Sequence, residues 1–238
     1  MKMVIIRPQP GADNTAKKAI QAGFTPIVMP MFVISKVAWI APEPSVFDAI
    51  LITSANALRH GGAALDAYHS LPAFAAGKTS AAAARDAGFS VAGIGRGGGV
   101  EALTLAVRSG FHRILWLSGA DAMALMPPAG IQLVRHIVYR SAALNAPSDF
   151  AEILQQPDII AVLHSARAAA HFSDQCELKG VIRSNIVVAA LSAAVAAAAG
   201  NGWRSIAAAH TPNDAALMIA AMDAAKSCFT NSPHDPYC

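Results

Sequence analysis

Short apolar runs rich in valine and isoleucine alternate with alanine-rich stretches of helical length along nearly the whole chain, and no other feature limits its possible folds as strongly. A strand buried on both faces reads as a continuous apolar run rather than an alternating one. Strands separated by helices run parallel, because each crossover helix carries the chain back to the same end of the sheet. The pattern predicts an α/β fold with strands at 4–6, 27–29, 49–52, 91–94, 114–117, 159–163 and 186–190. Helices are expected at 14–22, 55–69, 80–87, 101–109, 122–127, 166–176, 193–199 and 214–226.

Composition excludes several classes. Hydrophobic residues make up 54% of the chain and charged residues 14%, far too apolar a balance for a disordered polymer. The longest apolar stretch, 186–199, is mostly alanine and falls short of the roughly 20 residues needed to span a bilayer, so no membrane segment is expected. A formal charge of +3 with no block of like charges argues against nucleic acid, while leaving room for a small polyanionic ligand. The apolar run at the N-terminus is too short for a signal-peptide core and reads as a first strand. Cys176, Cys228 and Cys238 lack the spacing of a disulfide framework or a zinc site, so a reducing cytoplasm is the expected compartment.

The chain is long enough for two domains of ordinary size, and it carries traces of a duplication. AILITSANA at 49–57 lies over IAVLHSARA at 160–168: an apolar strand, a polar residue, then Ser-Ala-x-Ala opening a helix. About one helix later come the alanine-rich stretches starting at Ala75 and Ala189, then Gly98 to Leu103 in one copy and Pro212 to Leu217 in the other. Such a repeat implies two similar α/β domains. Segments 31–44 and 138–147 break the alternation and read as extended crossovers. The expected division is a discontinuous domain of 1–31 plus 147–238, an inserted domain of 44–138, and crossover linkers at 32–43 and 139–146. The proline-containing tail, 229–238, is expected to be disordered.

Two nucleotide-like motifs lack their usual context. Gly93-Ile94-Gly95-Arg96-Gly97-Gly98 matches G-x-G-x-x-G between a strand and a helix, yet it lies far inside the chain rather than at the first turn of a domain. Gly77-Lys78-Thr79 resembles the end of a phosphate-binding loop, but Pro72 stands where that loop needs glycine. The eight histidines are dispersed without zincin spacing, and a strand-end residue such as His164 is more often a polar contact than a ligand. No Gly-x-Ser-x-Gly elbow is present.

What recurs is a small hydroxyl residue where strand gives way to helix: Thr53-Ser54, Thr79-Ser80, Ser165 and Ser192, with Ser118-Gly119 in the same place. Each alone is an N-cap, contributing about 1 kcal/mol by satisfying an orphan helix N–H. As a set they mark the carboxyl ends of parallel strands, where open α/β sheets bind ligands and helix N-termini favour anions.

In order and spacing these motifs resemble uroporphyrinogen-III synthase over nearly the whole chain. The resemblance is carried by Ile6-Arg7-Pro8, Gly23-Phe24 with Pro26 and Pro30, Ile52-Thr53-Ser54, Gly77 to Ala81 ending at Gly88-Phe89, and Gly98 to Leu103. It continues through Leu117-Ser118-Gly119, Ile137-Val138-Tyr139, His164-Ser165-Ala166, Ala190 to Ala193, and Ala209 to Pro212. The chain departs from the family where Ala120-Asp121-Ala122-Met123 replaces basic residues after Gly119, and where Ala194-Val195-Ala196 lacks a hydroxyl.

The resemblance implies two similar three-layer domains with parallel sheets in flavodoxin-like strand order, joined by a two-stranded β-ladder, with the active site in the cleft between them. It implies no cofactor and no metal, a monomer, and a linear tetrapyrrole substrate, hydroxymethylbilane, with eight carboxylates. A transient handover from hydroxymethylbilane synthase would follow. Carboxylates are expected at Arg7, Thr53, Ser54, Ala55, Ser80, Gly98, Gly119, Ser165, Ala166 and Ser192, with Tyr139 as the candidate acid or else a packing tyrosine. A nucleotide-dependent enzyme using Gly93 to Gly98, or a noncatalytic tetrapyrrole-binding protein, are the alternatives.

Overall fold

A computed structural model describes residues 1–96 and 98–229; residues 230–238 of the tail expected to be disordered and Gly97 of the glycine-rich motif lie outside the described residues, whereas Phe229 is the last residue of a helix. The chain divides into two compact units, Met1–Val33 together with the chain from Ala143 onward, and Ile34–Ala142.

In the first unit, β1 (Lys2–Ile5), β2 (Thr25–Val28), β9 (Ile159–Leu163), β10 (Val187–Ala190) and β11 (Ser205–Ala208) form a sheet in the order β11-β10-β9-β1-β2. Every pair in it is parallel. Its central strands are buried on both faces, which explains their unbroken apolar sequence. Alternate residues feed two cores. Val4, Ile159, Ala161 and Leu163 pack with Phe150, Phe172, Cys176 and Val195, whereas Met3, Ile5, Ile160 and Val162 pack with Ala12, Ala19, Leu217 and Ala221. Helices α5 (Phe150–Leu154), α6 (Ala166–Leu178) and α7 (Ala193–Ala199) supply the first layer, and α1 (Gly11–Gln21) and α8 (Asp214–Phe229) the second.

The second unit follows the same plan. Its sheet has the order β3-β8-β7-β4-β5-β6, built from β3 (Phe32–Lys36), β4 (Ala49–Ile52), β5 (Ala73–Ala75), β6 (Val91–Ile94), β7 (Arg113–Gly119) and β8 (Gln132–Ala143). The strands from β8 to β6 are parallel. The edge pair is antiparallel: Leu144 N–H donates to Met31 O and Val37 N–H to Val138 O, so numbers rise on one strand as they fall on the other. Helices α2 (Ala55–Gly61) and α3 (Lys78–Asp86) cover one face and α4 (Gly99–Arg108) the other.

Counted along the chain, the first sheet reads 2-1-3-4-5. The second reaches the same spatial arrangement by a permuted route, with β4, β5 and β6 in the places of β9, β10 and β11, and β7 and β8 in those of β1 and β2. The protein is therefore a mixed α/β fold with parallel sheets.

Several local expectations change. The helix expected at 55–69 breaks at Gly62, whose φ of +76° suits glycine, and resumes as a 3₁₀ turn at Ala63–Tyr68. The helix expected at 122–127 does not form. Pro127 and Pro128 would end it at Met126, leaving too few residues to repay nucleation, and Met123 and Met126 instead stand exposed. Strands β5 and β11 and helix α5 were not anticipated, because Ala-Phe-Ala and Ser-Ile-Ala-Ala carry no strand signature. The crossover segments are strands, β3 and β8, and Tyr139 lies within β8.

Candidate functional site

In a doubly wound sheet, ligands bind outside the carboxyl ends of the strands where the winding reverses. In the first unit that point lies between β1 and β9, and two adjacent strand ends place Arg7 and His164 there. Asp214, the first residue of α8, ties the cluster together. Its Oδ1 lies 3.3 Å from Arg7 NH1 and 3.1 Å from His164 Nε2, and its Oδ2 lies 3.1 Å from Lys18 Nζ. Arg7 NH1 also donates to Thr15 Oγ1 at 3.2 Å. The guanidinium lies over Gly11, where a Cβ would fall 2.5 Å from Nε, so only glycine leaves it room.

The charges in this cluster are set by its geometry. The hydrogen bond from His164, aided by Lys18 and Arg7, holds the Asp214 carboxyl far below the usual carboxylate range despite partial burial. Burial lowers the His164 pKa, against the opposing pull of its hydrogen bond to Asp214. The ring is thus neutral near pH 7, with Nε2–H donating to Asp214, and its Nδ1 is buried without a partner among the described residues. Only Arg7 of this group was anticipated as a site residue. Residues 15, 18, 164 and 214 converge from distant parts of the chain, and no spacing signals that.

In the second unit the reversal lies between β7 and β4. Thr53 Oγ1 accepts from Trp116 Nε1 at 3.0 Å. Arg135 on β8 donates through Nε to Ser118 Oγ at 2.8 Å and through NH2 to Gly119 O at 2.8 Å and Ala120 O at 3.1 Å. Its guanidinium also stacks 4.9 Å above the Trp116 ring. A cation therefore reaches the end of β7 from a neighbouring strand, although the loop after Gly119 carries none between Ala120 and Gly130. Arg135 escaped the sequence reading because no motif includes it.

Tyr139 lies beside Gly119. Its half-buried ring packs against the core under α2 and α3, with the His60 ring 6.2 Å away. The phenol hydroxyl has no hydrogen-bond partner among the described residues. Tyr68 provides the contrast: it is fully buried, and its hydroxyl donates to Pro42 O at 2.5 Å.

The capping serines occupy the expected turns. Ser54 Oγ accepts from Asn56 N–H at 3.2 Å, Ser165 Oγ from Ala168 N–H at 3.2 Å and Ser192 Oγ from Val195 N–H at 3.4 Å. Ala55 and Ala166 are the first residues of their helices, where N–H groups have no intrahelical acceptor. Ser80 differs: Gly77 is the N-cap of α3, and Ser80 sits buried in the first turn. Gly98 is the N-cap of α4 with a φ of +108°. In the glycine-rich motif, the Glu101 carboxylate accepts the Arg96 N–H at 2.6 Å, so an internal acid occupies a donor that a phosphate would need.

Residues 13–219 match the family model described as uroporphyrinogen-III synthase HemD. The fold is similar to that of uroporphyrinogen-III synthetase from Helicobacter pylori 26695, with a TM-score of 0.62 at 16% identity, covering 94% of this chain and 99% of that one. It is also similar to a mutant uroporphyrinogen III synthase from the extremely thermophilic bacterium Thermus thermophilus, with a TM-score of 0.54 at 16% identity, covering 95% and 100%. No curated protein matches the chain by sequence. Among the described residues no helix is long and apolar enough to cross a membrane.

Proposed function

The chain belongs to the uroporphyrinogen-III synthase family, and from that premise we propose that it acts in tetrapyrrole biosynthesis as a hydro-lyase, cyclising hydroxymethylbilane with inversion of ring D to give uroporphyrinogen III. The observation that carries the chemical part of this reading is the Tyr139 phenol, without a hydrogen-bond partner among the described residues and beside the carboxyl end of β7, while the other described hydroxyphenyl group, Tyr68, is sealed and hydrogen-bonded.

The substrate loses its terminal hydroxyl as water, which requires a proton, and the Tyr139 O–H supplies it. The azafulvenium left behind is attacked by the substituted carbon of ring D, giving a spiro-pyrrolenine. Ring D then detaches and rejoins inverted. The proton lost when the final ring bond rearomatises restores the phenol, so the net change is loss of one water. Because the substrate closes unaided to the type I ring, the protein's main task is to hold a conformation that favours the rearrangement.

That task falls to carboxylate contacts. Arg7, whose guanidinium lies over Gly11 with NH1 held by Asp214 and Thr15, keeps its remaining N–H groups as charged donors for a carboxylate. The helix starts at Ala55 and Ala166, with their capping hydroxyls on Ser54 and Ser165, add backbone donors. Thr53, Ser80, Gly98, Gly119 and Ser192 complete the proposed set. The reaction is placed in the cytoplasm, with the monomer accepting its substrate from hydroxymethylbilane synthase.

The test is to supply freshly generated hydroxymethylbilane, oxidise the products and separate the isomers. Type III in excess of a protein-free control is expected. Type I alone from folded protein would reject the proposal.

A further inference from the structure

Gly119 is a glycine for lack of space rather than for backbone freedom. Its φ is outside the left-handed region, so its backbone suits any residue. A Cβ there would lie 2.6 Å from both Cε2 and Cζ of Tyr139 and 2.8 Å from its hydroxyl oxygen. The phenol rests on the bare Cα of Gly119 at the end that carries its oxygen.

Two further features hold the ring there. The β7–β8 register shifts between Ser118 and Gly119, so that Ser118 pairs with Ile137 and Gly119 with Tyr139. This bulge, rare in a parallel pair, passes over Val138 and re-aims the tyrosine toward the glycine. The backbone on both sides of the contact is also pinned: Ala120 N–H donates to Tyr139 O at 2.9 Å, and Arg135 holds the Gly119 carbonyl at 2.8 Å.

From these three observations we infer that Gly119 is a positioning residue, a seat that fixes where the Tyr139 hydroxyl stands. The inference rests on the proposed role of Tyr139. A methyl group at residue 119 cannot be absorbed by the strand, so the ring must give way. Relieving 2.6 Å to ordinary contact moves it by the better part of an ångström. A misplacement of this size costs a catalytic group up to about 100-fold in rate. Because the ring is a side-chain end at a half-buried site, the sheet itself survives the change.

The experiment is a double-mutant cycle of Gly119→Ala and Tyr139→Phe with in situ hydroxymethylbilane, reading kcat, KM, the type III to type I ratio and Tm. Gly119→Ala keeps the backbone N–H through which residue 119 belongs to the proposed carboxylate set, so it is expected to lower kcat about 10- to 100-fold while KM stays within about twofold and Tm within a few degrees. In the Tyr139→Phe background it should add little, since both changes act through one hydroxyl. Wild-type kcat in Gly119→Ala beside a slow Tyr139→Phe would overturn the seat and leave the phenol's role standing. Wild-type kcat in Tyr139→Phe would remove that role and the seat with it. Independent, multiplying losses would also overturn the inference. If Gly119→Ala does not fold, the Gly119→Ala/Tyr139→Ala pair decides: restored folding supports the ring contact, and continued failure to fold overturns it.

Discussion

The two sheets share one spatial plan yet furnish their reversal points with opposite chemistry. Where the first unit has Arg7 just past β1 and His164 just past β9, the second has Ser118 near the end of β7 and Thr53 just past β4; where α8 begins with Asp214, the overlay of Pro212 to Leu217 on Gly98 to Leu103 sets Val100 in the first turn of α4. One edge is a Coulombic cluster of two cations, a carboxylate and a neutral histidine. The other is hydroxyl and indole, with its cation, Arg135, already bonded to strand-end carbonyls and its phenol without a hydrogen-bond partner among the described residues. Duplicated architecture therefore does not imply duplicated function. On the proposed function, charge in the first unit holds carboxylates and the Tyr139 phenol in the second moves a proton.

The sharpest way to break this division is Tyr139→Phe. It should lower kcat by about 100-fold, the ordinary contribution of a general acid, with KM nearly unchanged. Steady-state kinetics on the folded variant checks it. A change confined to KM would place the phenol with the binding groups.

Asp214→Asn sharpens the other side. The Asp214 side chain is 13% exposed and bonded to Arg7, Lys18 and His164. Removing its charge should raise KM about tenfold through a misplaced Arg7, with kcat held within about twofold. A stability loss of about 1–2 kcal/mol is expected by denaturant titration, discounted because both cations are partly exposed to solvent.

These two predictions also mark what the sequence made legible. Strands such as 49–52 and 159–163 were visible because burial on both faces writes itself as an apolar run. Ala73–Ala75, equally buried, was not, because alanine serves helix and strand alike. Arg7, Tyr139 and the capping serines could be found because each sits in a local motif. His164 sits in such a motif too, but what it, Asp214, Thr15 and Arg135 bond to is set by the fold and not by a local pattern, and the proposed seat at Gly119 depends on an atom it does not have. Neither kind of information is local.

A smaller effect concerns acid. Burial depresses the His164 pKa in the folded state, so below about 6.5 the unfolded chain takes up a proton that the folded one resists, and stability falls as pH drops. His60 and His136 shift in the same direction for the same reason, so both units contribute. The depressed Asp214 carboxyl adds stability that is present above about pH 3.9 and is lost as pH falls through its folded value. Thermal melts from pH 7 to pH 5 should show a steady decline, shallower in His164→Gln. An unchanged slope in that variant would mean the ring is not held neutral.

The smallest effects belong to the caps. Ser165→Ala should cost about 1 kcal/mol of stability and less than twofold in kcat/KM, since the backbone donors at the start of α6 remain. Ser54→Ala should behave alike. Loss of all activity in a folded cap variant would mean that its hydroxyl alone anchors the substrate.

The division of labour is tested most directly by single-turnover conversion of fresh hydroxymethylbilane by the wild type and by Tyr139→Phe, with both isomers followed in time. The wild type should give type III ahead of spontaneous closure, and the folded variant should form it about 100-fold more slowly while type I rises toward the protein-free level. Type III at the wild-type rate from Tyr139→Phe would contradict the account.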